Sequence, residues 1–285
     1  MDLSLRKIFL AALCAVSLLF TACGGDNQSA EPKDDGKAKI GVITHLNVSE
    51  TEYNELMKKL ESMYRPRQAS LSANYIYFDK MNDMILALDG KQVDIISTYQ
   101  SVADYMLQTA DDKQLLPAER TLTNSFCFAV RKGDTMLKND LNKAIKEMEN
   151  DGTLVNLSKK YIVELKNGAE PPAVEIPMID GADTIKVAVT GDLPPFDMIL
   201  ADGTPAGYST AVLAEVSKRI NKNIELVSVD SNARATILTS KGADVVFWVS
   251  VPKDSNLLPA NIDIPAEIDV SNSYYSDNIV HIGKK

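Results

Sequence analysis

The sequence predicts an α/β fold built from two similar lobes, on three observations. From Thr184 to Ile220 the chain reads strand, loop, turn, helix. The β-branched run Ile185–Val189 leads into Gly191-Asp192-Leu193-Pro194-Pro195-Phe196 and the turn Asp202-Gly203, and Val212, Leu213, Val216 and Ile220 then recur at helical spacing. From Ile40 to Met106 strands and helices alternate, which predicts a parallel sheet with right-handed crossovers. Finally, the stretch Ile85–Ile96 is echoed by Ile237–Val246. Each is a helix end, a glycine, then an aspartate (Asp94, Asp244) that opens an apolar strand.

Taken in order, Ile40–Ile43 is a strand. Ser49 and Glu52 form a capping box for a helix that buries Tyr53, Leu56, Met57, Leu60 and Met63. Tyr75–Phe78 is a second strand, Met81–Leu88 a helix ended at Gly90, Val93–Ser97 a third strand, and Val102–Met106 a helix. Phe126–Val130 is a strand. Leu137, Leu141, Ile145 and Met148 mark a long helix, which a shorter one around Leu154–Tyr161 continues. Lys166–Asp183 holds Pro171, Pro172 and Pro177 with two glycines and reads as a linker. After the helix to Ile220 come a strand at Ile224–Val229, a short helix at Arg234–Ser240, a strand at Asp244–Val249, a loop over Pro252–Pro265 and a last strand at Asn278–Ile282.

With 285 residues the chain has ample core. Its 39 acidic and 30 basic residues are mixed along the sequence and no basic stripe appears, which argues against a nucleic-acid partner. Two histidines and no Cys/His cluster argue against a metal site, and nothing calls for a cofactor. Arg6 and Lys7 precede the apolar run Ile8–Phe20, too short to span a bilayer comfortably. The run ends in Phe20-Thr21-Ala22-Cys23, which resembles a bacterial lipobox. That resemblance implies that Cys23 becomes the lipidated first residue; the alternative is ordinary secretory cleavage beside an incidental cysteine. Gly24–Gly36 is polar and reads as a flexible tether. Cys127, inside Phe126-Cys127-Phe128, reads as an inert buried thiol.

The residues Pro194, Pro195, Phe196, Asp202, Gly203, Gly207 and Tyr208 resemble the opening of type 3 periplasmic solute-binding proteins, the polar amino-acid-binding family of ABC importers. The stretch Phe126–Ile162 is similar to that family's C-terminal end. Gly36–Val42 resembles the start of its second lobe, and Val270–Ile282 the strand by which it leaves its first. The resemblance implies a two-lobed periplasmic-binding-protein-like (type II) fold with its lobes in circularly permuted order. Residues 1–23 would be the signal peptide and 24–37 the tether. Residues 38–125 would be the family's second lobe, 126–165 a hinge strand with helices packing on the other lobe, and 166–183 the linker. Residues 184–277 would be the first lobe and 278–285 the second hinge strand. A fragment of a tandem array, pairing with another chain, is the competing account.

The resemblance further implies a lipid-anchored solute-binding protein on the extracytoplasmic face of a bacterial envelope. It would capture an amino-acid-like molecule or related metabolite, deliver it to an importer permease, and perform no enzymatic reaction. The family's charged anchors fall on other residue types: Ser250-Val251-Pro252-Lys253-Asp254-Ser255 lacks the arginine, and the two aspartates fall at Ala211 and near Tyr99. What remains for a cleft is Phe196, Trp248, Ser250, Tyr99, Thr44, Ser49 and Asp192. Each has a plain alternative: Trp248 and Phe196 as packing, Ser49 as an N-cap. Arg234 reads as structural. The missing anchors keep a second class open, an accessory or sensory lipoprotein that acts by protein contacts.

Overall fold

The structure is a computed structural model that describes residues 37–44, 46, 55, 73–117, 122–253 and 263–285. Apart from Glu55, the helix expected after Ser49 lies outside the described residues, as do Ser49 itself, His45, Cys23 and the tether Gly24–Gly36.

Two lobes share one curled sheet. In the first, β1 (Lys39–Ile43) pairs in parallel with β2 (Asn74–Phe78) and with β3 (Ile95–Tyr99). In the second, β6 (Thr184–Val189) pairs in parallel with β10 (Asn223–Ser228) and β11 (Val245–Pro252). Between these triplets run β5 (Thr123–Arg131) and β12 (Ile268–Lys284), giving the strand order β10-β6-β11-β5-β12-β3-β1-β2. The short β4 (Lys113–Leu115) pairs with the end of β12. Near the loop after β6, β7 (Asp192–Leu193), β8 (Asp197–Ile199) and β9 (Pro205–Ala206) make a separate small sheet.

The helices cover this sheet with their apolar faces. Helix α1 (Met81–Asp89) buries Met81, Met84, Ala87 and Leu88, and α2 (Gln100–Met106) buries Val102 and Ala103. Helix α3 (Thr135–Asn150) buries Leu141, Ala144, Ile145 and Met148, and α4 (Thr153–Ser158) follows it. Helices α3 and α4 pack on α5 (Tyr208–Ile220), and Arg219 of α5 reaches Asp151 at the end of α3 at 2.7 Å. The set closes with α6 (Arg234–Thr239).

The internal echo has a physical cause. Asp94 accepts the Lys39 N–H at 2.8 Å, and Asp244 accepts the Lys186 N–H at 2.9 Å. In each lobe an aspartate before the third strand therefore clips the start of the first. Three residues before each aspartate the backbone turns left-handed, at Lys91 (φ 58) and Lys241 (φ 66).

Several boundaries differ from expectation. The third strand begins at Ile95 rather than Val93, because the Val93 N–H bonds to Ala87 O and Asp94 is spent on the clip. Strand β5 begins at Thr123, and β11 runs on to Pro252, because Asn124 and Ser125 keep it paired. The last strand is not 278–285 but one continuous element of 17 residues. Its first part pairs with β5 and its second with β3, so it threads both lobes. Register shifts at Val270/Ser273 and Ser273/Tyr275 break the two-residue alternation that would have shown it in sequence.

The proline-rich stretch 166–183 is strapped down. Gln108 bonds the carbonyl of Leu165 and the N–H of Gly168, and Val174 donates to Pro205 O. The Asn223 side chain holds Ile179 and Ala182.

Candidate functional site

A small cavity of ≈ 30 Å³ lies where the lobes meet, lined among the described residues by Ile43, Thr44, Tyr99, Arg234, Trp248, Ser250 and Asp263. Ile43 and Thr44 end β1 and Tyr99 ends β3, while Trp248 and Ser250 belong to β11. These are the carboxyl ends of the parallel strands, where open α/β sheets hold their ligands. Arg234 begins α6, which places a guanidinium at the mouth of the second lobe.

Aromatic rings form the floor. Tyr99 lies edge-on to Trp248 with ring centroids 6.4 Å apart, and Phe126 lies beneath both at 4.7 and 5.9 Å. Phe196 is fully buried below the cavity, 4.7 Å from Phe126 and 5.3 Å from Tyr275. It plugs the core and does not line the cavity. The Pro-Pro-Phe motif has a further job: the carbonyls of Pro195 and Phe196 accept the N–H groups of Tyr208 and Ser209, capping α5. Gly207 permits this approach, since its φ is 104° and a Cβ there would lie 2.5 Å from the Phe196 carbonyl oxygen.

The polar lining is almost wholly engaged within the protein. Arg234 donates Nε–H to Ser231 O, Nη1–H to Trp248 O at 3.1 Å, and Nη2–H across the cleft to Thr44 O at 2.9 Å. Its guanidinium sits 4.5 Å from the Trp248 ring, a cation–π contact. Burial pulls its pKa down, and the Asp263 charge opposes that. Burial likewise raises the Tyr99 hydroxyl, which bonds to Ser250 and Asn124. The Trp248 Nε1–H donates to Thr190 Oγ1 at 3.4 Å, and Thr190 Oγ1 donates to Asp197 Oδ2 at 2.8 Å. Asp197, 1% exposed, also accepts the N–H groups of Thr190 and Gly191, so a buried carboxylate fixes the indole.

Asp192 sits at the lip. Its Oδ2 accepts the Met81 N–H at 2.8 Å, at the N-terminus of α1 in the facing lobe. Beside it Lys80 pairs with Asp230 at 3.4 Å, and Asn232 donates to Asp79 at 2.7 Å. With the Arg234–Thr44 bond, these contacts sew the lobes together.

Burial, with like charge from Asp197 and Asp230, pushes the Asp192 carboxyl up to about 6 against the opposing Met81 N–H and Lys80. A raised carboxyl pKa favours the protonated group in the folded state. The stabilisation is therefore full below the unfolded value near ~4 and lost as pH rises through about 6. Melting at pH 5 is expected to exceed that at pH 7, with Asp192 contributing no more than about 1–2 kcal/mol because the group stays partly open to water. Asp192→Asn should raise stability at pH 7 and flatten the profile between pH 5 and 7. An unchanged profile by differential scanning calorimetry would count against this assignment.

Of the residues singled out in sequence, Thr44, Tyr99, Trp248 and Ser250 meet in the cavity. Phe196 lies under it and Asp192 at the lip, while Ser49 is not described. Sequence reasoning missed Asp197, Asp263 and the cavity position of Arg234. For Asp197 the signal was present: an acid following Pro-Pro-Phe inside an apolar run. Among the described residues no group of three or more His, Cys, Asp or Glu side chains gathers as a metal would require, and no helix is long and apolar enough to cross a membrane. Cys127 is buried, its thiol pushed up to about 12.

Residues 67–164 and 185–254, more than half of the chain, match the model of the bacterial extracellular solute-binding proteins, family 3. The chain belongs to that family. This family-3 protein is thus a relative of ligand binders rather than of enzymes. No curated protein matches it. Among solved structures it is similar to the ligand-binding component of an ABC-type import system from Staphylococcus aureus with zinc bound, at 14% identity and a TM-score of 0.42, over 87% of this chain and 66% of that one. The family-3 chain thus spans slightly under two thirds of that protein. It is also similar to a nutrient-binding protein from Burkholderia cenocepacia bound to methionine, at 12% identity and a TM-score of 0.40, over 87% and 84% of the two chains. A third likeness is to the GluR0 ligand-binding core from Nostoc punctiforme in complex with L-glutamate, at 11% identity and a TM-score of 0.39, over 87% and 85%.

Proposed function

We propose that the protein is a lipid-anchored solute-binding protein of the bacterial envelope. It holds a small molecule between its lobes and delivers it to an ABC importer permease. The observation that carries this reading is the cavity itself, walled by Ile43, Thr44 and Tyr99 from one lobe and Arg234, Trp248 and Ser250 from the other. The Phe20-Thr21-Ala22-Cys23 sequence supports the anchor at Cys23. The permuted lobe order is supported by Pro194-Pro195-Phe196, which resembles the family's opening yet follows the stretch Phe126–Ile162 that resembles its end.

The test is a thermal-shift screen of the full chain in detergent with amino acids, their decarboxylated and deaminated relatives, and aromatic metabolites. A ligand at a hundred times its Kd adds ~2.7 kcal/mol. One chemical class is expected to raise the melting temperature and to alter the emission of Trp248, the chain's single tryptophan. The second reading, an accessory or sensory lipoprotein working by protein contacts, is favoured by the engagement of the cavity's polar atoms with one another. A cooperative melt that no compound moves would favour it.

A further inference from the structure

We propose that the two lobes latch onto each other through the chain's own residues, so that the closed arrangement is the resting state and a solute enters only after the latch releases. The latch itself goes beyond the solute-binding reading; the step of solute entry rests on it.

The first lobe offers one continuous edge. Asp79, Lys80 and Met81 join β2 to α1, and each reaches the facing lobe. Asp79 Oδ2 accepts from Asn232 at 2.7 Å, Lys80 meets Asp230 at 3.4 Å, and the Met81 N–H donates to Asp192 Oδ2 at 2.8 Å. Just before them Phe78 O accepts both the N–H and the Oγ1–H of Thr44, whose own carbonyl takes the Arg234 Nη2–H. The second lobe answers with Asp192 and with residues 230–234, where Arg234 Nε–H is tied to Ser231 O. The contacts are mechanically coupled, because parting one shifts the residues that make the others. Lys80 and Asp230 are each more than half exposed and contribute little, so the strength lies in the bonds of Asp79, Met81 and Thr44.

Helix α1 is also capped from across the cleft. Its N-cap residue is Lys80, whose ammonium can only donate and makes no capping bond. The oxygen that meets the helix's first N–H belongs to Asp192, in the other lobe. A helix leaves its first N–H groups without partners inside the helix, so an acceptor there completes it. Opening the lobes would take that acceptor away from α1.

The lip is apolar underneath. Met81 and Leu193, the neighbour of Asp192, are each 1% exposed and belong to one hydrophobic cluster that runs through both lobes. Helix α1 packs on β7 at this point. Parting the lobes here would bring part of that surface into water, at a cost that grows with the area exposed. Behind the latch, the cavity of ≈ 30 Å³ has room for a water molecule or two. A solute therefore needs the lobes to part first.

Hydrogen exchange reads the latch directly, because the Met81 amide donates to the facing lobe. The full chain in detergent, exhaustively dialysed and with no compound added, is exchanged into heavy water and read at single amides. Met81 is expected to exchange at least about 100-fold more slowly than an unstructured amide. Asp192→Asn keeps an acceptor and should keep that protection, whereas Asp192→Ala should lose at least about tenfold of it, ~1.4 kcal/mol. Asn232→Ala removes a contact made by Asp79 rather than by Met81, yet it should also lower Met81 protection at least about tenfold, because the latch opens as a unit. The amides of Ile85–Leu88 inside α1 should stay protected in every variant, which separates an open latch from a frayed helix. Met81 exchanging near its unstructured rate in the wild type, with Ile85–Leu88 protected, would overturn the latch. An Asn232→Ala chain with Met81 protection unchanged would overturn it as well. Either failure leaves the solute-binding reading standing, and a thermal-shift screen in which no compound acts leaves the latch standing.

Discussion

Replacing Arg234 with alanine is expected to destabilise the protein by about 3–5 kcal/mol, the scale for breaking a buried charged network by removing one member. Three carbonyls lose their donor, one of them, Thr44 O, in the facing lobe. Asp263 loses the charge that offsets it. For a folded unit of this size the melting temperature should fall by roughly 2–4 °C per kcal/mol. Because Thr44 lies across the cleft, the variant should also scatter X-rays as a more open particle, and Trp248 should emit to the red. Arg234→Lys should recover less than half of the loss, since an ammonium cannot reach carbonyls on three sides with a planar fork. Wild-type stability in Arg234→Ala would show that the lobes do not depend on this clamp.

Replacing Phe196 with alanine carries a comparable expected cost, about 3–5 kcal/mol, as for a fully buried phenylalanine in a packed core. Its ring is surrounded by Tyr99, Phe126, Tyr208 and Tyr275. Tyr99 belongs to one lobe and the others to the shared strands and the second lobe, so the void would open beneath the cavity floor. Phe196→Leu should cost less than half as much. Chemical denaturation of both variants, followed by far-UV circular dichroism, measures the difference. If ligand affinity falls in Phe196→Leu while stability holds, the ring shapes the cavity as well as filling the core.

How far the sequence disclosed this arrangement depended on the range of the interactions involved. Helix α3 was legible because Leu141, Ile145 and Met148 repeat at helical spacing and all point into the core. The paired aspartates Asp94 and Asp244 were legible as an echo, because the clip needs the same residue at the same step in each lobe. Arg234 read as structural, and its bonds to Ser231 and Trp248 agree with that. Its third partner lies 190 residues away in sequence, and no local pattern reveals such a contact. Asp263 lies within the stretch Pro252–Pro265, which reads as a loop without periodicity, so nothing near it marks a cavity wall. The length of β12 was hidden by Ser271, Asn272 and Ser273, polar residues whose bulged register removes the alternation of a half-buried strand.

The continuity of β12 bears on the order in which the molecule can be made. Every other described element of the two lobes precedes it in the chain, yet it is the strand that pairs with β5 on one side and with β3 on the other. As the polypeptide emerges, each lobe can collapse around its own parallel triplet, but β5 and β3 must wait with an unpaired edge. An exposed strand edge is a template for pairing with another chain. Nascent copies of this protein are therefore most prone to misassociate in the interval before residues 268–284 arrive, and a chaperone that shields strand edges would have its substrate then.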